Sequence, residues 1–114
     1  KNISTNTNKY GCMIGDNVKT SIGALIFTGK SIGTASQLYG YTNENIPSFT
    51  IMNNFSRQKS VEADLNSIIL TQKKMMERRG VIQQNSDREL LKKVFKMTKT
   101  ERIKLKVKKG RIKI

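Results

Sequence analysis

Residues 14–38, IGDNVKTSIGALIFTGKSIGTASQL, repeat with a period of six. The repeated position is occupied in turn by Ile14, Thr20, Ile26, Ile32 and Leu38. A glycine follows two of these positions, at Gly15 and Gly33, which stand eighteen residues or three repeats apart. Small residues are needed wherever a chain turns sharply, so this pattern indicates short strands separated by regular corners.

The period predicts the fold class as a left-handed parallel β-helix segment, built of hexapeptide repeats, followed by a basic helical C-terminal tail. Residues 1–40 are assigned to the coils. Repeat units bury their core only against neighbouring units, and about three or more are normally needed. We therefore expect the coils to continue upstream of residue 1, in a longer protein. The first residue, lysine in place of methionine, favours the same interpretation.

A pair of ordinary strands is an open alternative for this stretch. Ile22, Ala24 and Ile26 also alternate with a period of two, and Thr28-Gly29-Lys30 could form a hairpin turn between them and the next strand.

The rest of the chain divides into a connector and a tail. Residues 41–59 are predicted to be a polar connector, in which Pro47 interrupts regular structure. Residues 60–114 are predicted to be a basic helical tail. Three helix starts are expected there, with Ser60 as the N-cap of the first, a capping box at Ser86 to Glu89 opening the second, and Thr98 opening the third.

The charge of the chain is strongly uneven. The formal net charge is +14, yet residues 1–54 carry only four lysines against two acidic residues. The helical tail therefore holds most of the excess positive charge, and it could meet nucleic acid, a membrane surface or an anionic cofactor. Aromatic residues, on which bases would stack, make up only 6% of the chain and are nearly absent from the tail, so nucleic acid is not favoured.

Cysteine and histidine usage limits the chemistry further. The single cysteine, Cys12, allows no intramolecular disulfide, and without histidine no Cys/His zinc cluster can form. We expect a cytoplasmic protein with no metal bound by this segment. No apolar run reaches the roughly 18 residues of a membrane span.

The stretch from Asn8-Lys9-Tyr10 through Ile14-Gly15-Asp16-Asn17-Val18 resembles a motif of a known family. It is similar to the C-terminal hexapeptide-repeat domain of the bifunctional sugar-1-phosphate nucleotidylyltransferase and amino-sugar acetyltransferase family, whose members make UDP-N-acetylglucosamine. Gly29-Lys30-Ser31-Ile32-Gly33 and the sequence Met-Met-Glu-Arg-Arg-Gly at 75–80 resemble the archaeal-type branch. The resemblance covers residues 8–33 most specifically.

This resemblance implies a homotrimer that transfers acetyl from acetyl-CoA to an amino-sugar 1-phosphate at the subunit interface, joined to a nucleotidylyltransferase domain. Lys9 falls on the family's lysine in the sugar-phosphate pocket, and Asn2 matches a loop asparagine near the thioester. Ser21 and Ile22 fall where the family faces the pantetheine arm, and Gly40 would offer a backbone contact to the cofactor.

The chain departs from the family in one decisive respect. The family's catalytic base is a histidine one coil earlier, and this chain has none. We therefore expect no catalytic residue here and no complete enzyme in this chain alone. Two other functions stay open, a non-catalytic trimerisation scaffold and a basic nucleic-acid-binding module.

Overall fold

The computed structural model describes residues 11–55 and 60–108. Within them the chain forms eight short strands followed by three helices. In chain order they are β1 (Met13–Ile14), β2 (Lys19–Thr20), β3 (Leu25–Ile26), β4 (Ser31–Ile32), β5 (Gln37–Tyr39), β6 (Tyr41–Thr42), β7 (Thr50–Asn53), β8 (Ser60–Glu62), α1 (Leu65–Arg78), α2 (Asn85–Met97) and α3 (Lys99–Lys104).

The strands form three small sheets. Strand β1 pairs with β4 and β3 pairs with β6, while β2, β5, β7 and β8 make a four-stranded sheet in that order. All pairs are parallel except β7 with β8, which is antiparallel. The four-stranded sheet is therefore mixed. Strand β8 is the last strand before helix α1.

Three residues other than glycine, Asn17, Ala35 and Phe49, adopt left-handed backbone conformations where the strands turn. Asn17 has φ of 61° and Ala35 has φ of 60°, and Ala35 donates its backbone N–H to the Asp16 carbonyl at 2.8 Å. Asparagine tolerates this region because its short side chain bonds locally. Stacked corners of this kind keep β1 aligned with β4, and β2 aligned with β5.

Two apolar clusters form the core. One lies among the strands and comprises Ile32, Leu38, Ile46 and Met52, with Val18 and Ile26 packed against it. The other joins the strands to the helices and comprises Ala35, Phe49, Ala63, Ile68 and Leu91. Helices α1 and α2 therefore pack on the same body as the strands.

The predicted left-handed β-helix with a helical tail is wrong. The described residues form a small α/β globule whose short strands make two parallel pairs and one mixed sheet. Met13 pairs with Ser31 eighteen positions on, but Leu25 pairs with Tyr41 after sixteen. Gln37 then pairs with Ile51 after only fourteen. The offset between paired residues thus falls from eighteen to fourteen, so the six-residue period is not kept along the chain. Strand β8 also runs antiparallel to β7.

The boundaries of the tail also differ from those predicted. Ser60 lies in strand β8, and the N-cap of α1 is Asp64, whose carboxylate accepts the Ser67 N–H at 3.2 Å. Helix α2 begins two residues earlier than predicted, with Gln84 as its N-cap, and the Gln84 N–H donates to the Asp87 carboxylate at 2.8 Å. Thr98 stands at the predicted N-cap position of α3, but its side chain makes no capping bond, and its hydroxyl donates to the Val94 carbonyl at 2.8 Å.

Gly33 lies where two backbone segments approach each other closely. A Cβ placed there would lie 2.6 Å from the Cα of Ser48, far inside van der Waals contact. We expect Gly33→Ala to lower the free energy of unfolding by about 1–3 kcal/mol, because a methyl group forced into a packed interior displaces backbone. Urea denaturation followed by circular dichroism measures this. Ser31→Ala, on an exposed neighbouring position, is the control, and an equal effect of the two substitutions would contradict the close approach.

Candidate functional site

The residues predicted to face a cofactor lie at a corner formed by two stacked turns. The first turn follows β2, and the Ala24 N–H closes it on the Ser21 carbonyl at 3.2 Å. The second turn joins β5 to β6 through Gly40, whose φ of 77° suits glycine. Backbone hydrogen bonds hold the turns in register, from Ser21 N–H to the Leu38 carbonyl at 2.9 Å and from Leu25 N–H to the Gly40 carbonyl at 3.0 Å.

The fold brings Ser21 and Gly40 together. The Gly40 N–H donates to the Ser21 hydroxyl oxygen at 3.4 Å, across nineteen positions of sequence. Ser21 is partly buried, whereas the side chain of Ile22 is fully exposed beside it. The corner thus presents a hydroxyl, backbone polar groups and an uncovered aliphatic side chain. Lys9 and Asn2, the two residues predicted to bind substrate, lie outside the described residues.

Tyr41 and Phe55 form one side of this corner. The sequence did not indicate that either aromatic residue belongs to the site. The rings of Tyr41 and Phe55 meet edge to face with their centroids 6.2 Å apart. Phe55 also packs on Gly40, where a Cβ would approach the Phe55 ring, with Cδ2 at 3.1 Å. The Asn54 side-chain amide donates to the Tyr41 carbonyl and so links the residue before Phe55 to β6. In the sequence, this contact is indicated by Gly40 between Tyr39 and Tyr41, because a glycine leaves room for a ring to pack on the backbone.

The exposure of this corner distinguishes it from the core. Phe55 is 79% exposed and Tyr41 is 37% exposed, although both rings are held by neighbouring residues. A fixed aromatic pair that stays in water is an apolar contact surface available to a ligand. We call the set Ser21, Ile22, Gly40, Tyr41 and Phe55 the Ser21–Gly40 corner.

The corner offers polar and apolar groups that a ligand could contact. Its five residues are a serine, an isoleucine, a glycine, a tyrosine and a phenylalanine, and the sequence contains no histidine. Across residues 11–55 and 60–108, no group of three or more His, Cys, Asp or Glu side chains could hold a metal ion. A hydroxyl and a backbone carbonyl can orient an amide-containing ligand, and the apolar side chains can cover its methylene groups.

No family model, no curated protein and no solved structure matches this chain. The resemblance to the acetyltransferase family therefore stays a prediction. In the part of the chain that the structure describes, no helix has both the length and the apolar composition needed to cross a bilayer.

Proposed function

We propose that this chain binds acetyl-CoA at the Ser21–Gly40 corner, as part of an enzyme that acetylates an amino-sugar 1-phosphate in sugar nucleotide synthesis. The observation that carries the proposal is the hydrogen bond of 3.4 Å between the Gly40 N–H and the Ser21 hydroxyl. Both residues were assigned to the cofactor by resemblance alone, and they are far apart in sequence. Their proximity supports a shared role.

The surroundings of the corner suit the pantetheine arm of the cofactor. That arm alternates amide groups with short methylene runs, so its binding needs both polar partners and apolar cover. Ser21 and the backbone beside Gly40 supply the polar partners. Ile22 and Phe55 supply exposed apolar surface, which becomes useful when a ligand covers it.

Acetyl transfer itself needs groups beyond this corner. A general base must take a proton from the attacking amine, and a base must lie within hydrogen-bond reach of that proton. The family's base is a histidine, which this chain lacks. In the proposal the chain positions the thioester and assembles as a trimer, while the base, and the nucleotidylyltransferase activity, belong to other parts of the enzyme.

The experiment is a calorimetric titration of acetyl-CoA into the chain, into Ile22→Ser and into Ile82→Ser. We expect Ile22→Ser to weaken binding by at least about tenfold, because a covered isoleucine side chain contributes roughly 1.5–3 kcal/mol. Ile82 is 76% exposed in the connection between α1 and α2, so its substitution is the matched control and should leave the affinity unchanged.

Light scattering on the same samples reports the oligomeric state. Binding that weakens only in Ile22→Ser, by a trimer, is the expected result. Equal affinities for both variants would show that acetyl-CoA binds away from the Ser21–Gly40 corner. A folded trimer that binds no acetyl-CoA would leave the non-catalytic scaffold as the better function.

A further inference from the structure

A second candidate site lies between α2 and the connection from β8 to α1. It is a cavity of about 640 Å³, which is within the size range of small-molecule sites. Leu65 and Phe95 line its apolar part. The Phe95 ring is held in place because the Arg102 guanidinium carbon lies 4.2 Å from its centroid. The apolar part of the cavity is therefore largely preformed.

Lysines surround this cavity on one side. Lys92, Lys93 and Lys96 come from α2, and Lys99 begins α3. Lys96 stands four positions after Lys92 and three after Lys93, so it neighbours both on the surface of α2, where like charges repel. A bound anion would remove that repulsion.

The acidic residues of the cavity leave most of this charge uncompensated. Glu62 is engaged by Arg102 at 2.8 Å, and Glu89 lies 3.4 Å from Lys92. Within residues 11–55 and 60–108, no carboxylate lies within 4.0 Å of the other three lysines, which are Lys93, Lys96 and Lys99. The cavity therefore combines an apolar interior with a net positive rim.

We propose that this cavity binds a phosphate monoester with an apolar body, its phosphate at the lysine rim and its body against Leu65 and Phe95. Inorganic phosphate would leave the apolar part uncovered. A nucleic acid backbone would contact the lysines without entering the cavity, because its charges lie along an extended strand. The combination of one anionic head and one apolar body uses both parts of the cavity. This proposal does not depend on the acetyl-CoA site.

The test uses n-octyl phosphate, below the concentration at which it forms micelles, as the probe. One variant replaces three rim lysines, Lys93→Gln, Lys96→Gln and Lys99→Gln. The matched control replaces three exposed lysines that do not line the cavity, Lys73→Gln, Lys74→Gln and Lys104→Gln. Both carry the same change in net charge, and glutamine has nearly the helix propensity of lysine, so both should fold.

We expect the rim variant to bind n-octyl phosphate at least about tenfold more weakly than the unaltered chain, and the control to lose less than about twofold. Octanol and inorganic phosphate should each bind more weakly than the ester. Equal losses in the two triple variants would overturn the proposal, since they would show a general attraction to a cationic surface. Binding of inorganic phosphate as tight as that of the ester would also overturn it.

Two sources could supply such an ester, a free metabolite or a membrane lipid. Vesicles containing phosphatidic acid present the same phosphate on a bilayer and distinguish the two. Rim-dependent binding of monomeric n-octyl phosphate supports the free ester. Binding to vesicles alone, lost in the rim variant and retained in the control, supports the lipid.

Discussion

Replacing Arg102 with alanine should lower the free energy of unfolding by about 3–5 kcal/mol. The side chain is almost completely buried. Its Nε donates to a Glu62 carboxylate oxygen at 2.8 Å, and one Nη donates to the Phe95 carbonyl at 2.6 Å. The other Nη donates to the Ser48 carbonyl at 3.2 Å and to the Thr98 hydroxyl at 2.6 Å. Without the arginine, the mostly buried Glu62 carboxylate and the carbonyls of Ser48 and Phe95 lose these donors.

Two further variants make this measurement specific. Arg102→Lys keeps the charge but cannot reproduce the planar arrangement of donors, so we expect an intermediate loss of stability. Arg78→Ala removes an exposed arginine from the last turn of α1 and should change stability by less than about 0.5 kcal/mol. Guanidinium denaturation of the three variants and the unaltered chain gives the values. Similar stabilities for Arg102→Ala and Arg78→Ala would show that Arg102 is not buried in this network.

Phe49→Ala should also lower the free energy of unfolding by about 3–5 kcal/mol. Phe49 is fully buried in the cluster that joins the strands to the helices, and its ring meets the Phe95 ring edge to face at 5.2 Å. Alanine would leave a cavity at the junction of the two halves of the chain. The left-handed backbone of Phe49, with φ of 56°, would persist as strain without the ring contacts that offset it.

The matched control for this prediction is the same substitution at Phe27, which is 52% exposed. We expect Phe27→Ala to cost less than about half as much, because less apolar surface returns to water. Phe49→Leu should lie between the two. Thermal and urea unfolding, which must agree for a two-state transition, provide the comparison. A loss at Phe27 equal to that at Phe49 would contradict the placement of the core.

The local signals in the sequence located the helices better than they located their starts. Thr98 stands at the predicted N-cap position of α3, although its side chain makes no capping bond. Ser60 was also a good N-cap by its type, but β8 pairs with β7 and keeps Ser60 extended. That pairing depends on residues about ten positions upstream and on the burial of Val61. Tertiary contacts of this kind override local preference, and a pattern within one segment does not contain them.

The solenoid was predicted because the period of six is regular from Ile14 to Leu38. The change in spacing depends on partners beyond that stretch, because Leu25 pairs with Tyr41 and Gln37 pairs with Ile51. No periodic residue marks those later partners. For the site, Ser21 and Gly40 were reached through resemblance, whereas Phe55 was not, since its contact with Gly40 depends on how residues 53–55 fold back.

The burial of Arg102 could not be read from the sequence at all. Among so many lysines and arginines, one more cation in a basic segment predicts a solvated side chain. Its acceptors come from Ser48 before β7, from Glu62 in β8, from Phe95 in α2 and from Thr98. These positions converge only in the folded chain.

The same convergence makes the two compositionally different halves a single cooperative unit. An arginine that takes acceptors from a strand, a loop and a helix cannot keep them if any one of these elements detaches. The pairing of Val61 with Lys108, after α3, adds a second link in the same place. The helices are therefore not an appendage that opens independently, and amide protons on both sides of the junction should share one opening free energy in hydrogen exchange.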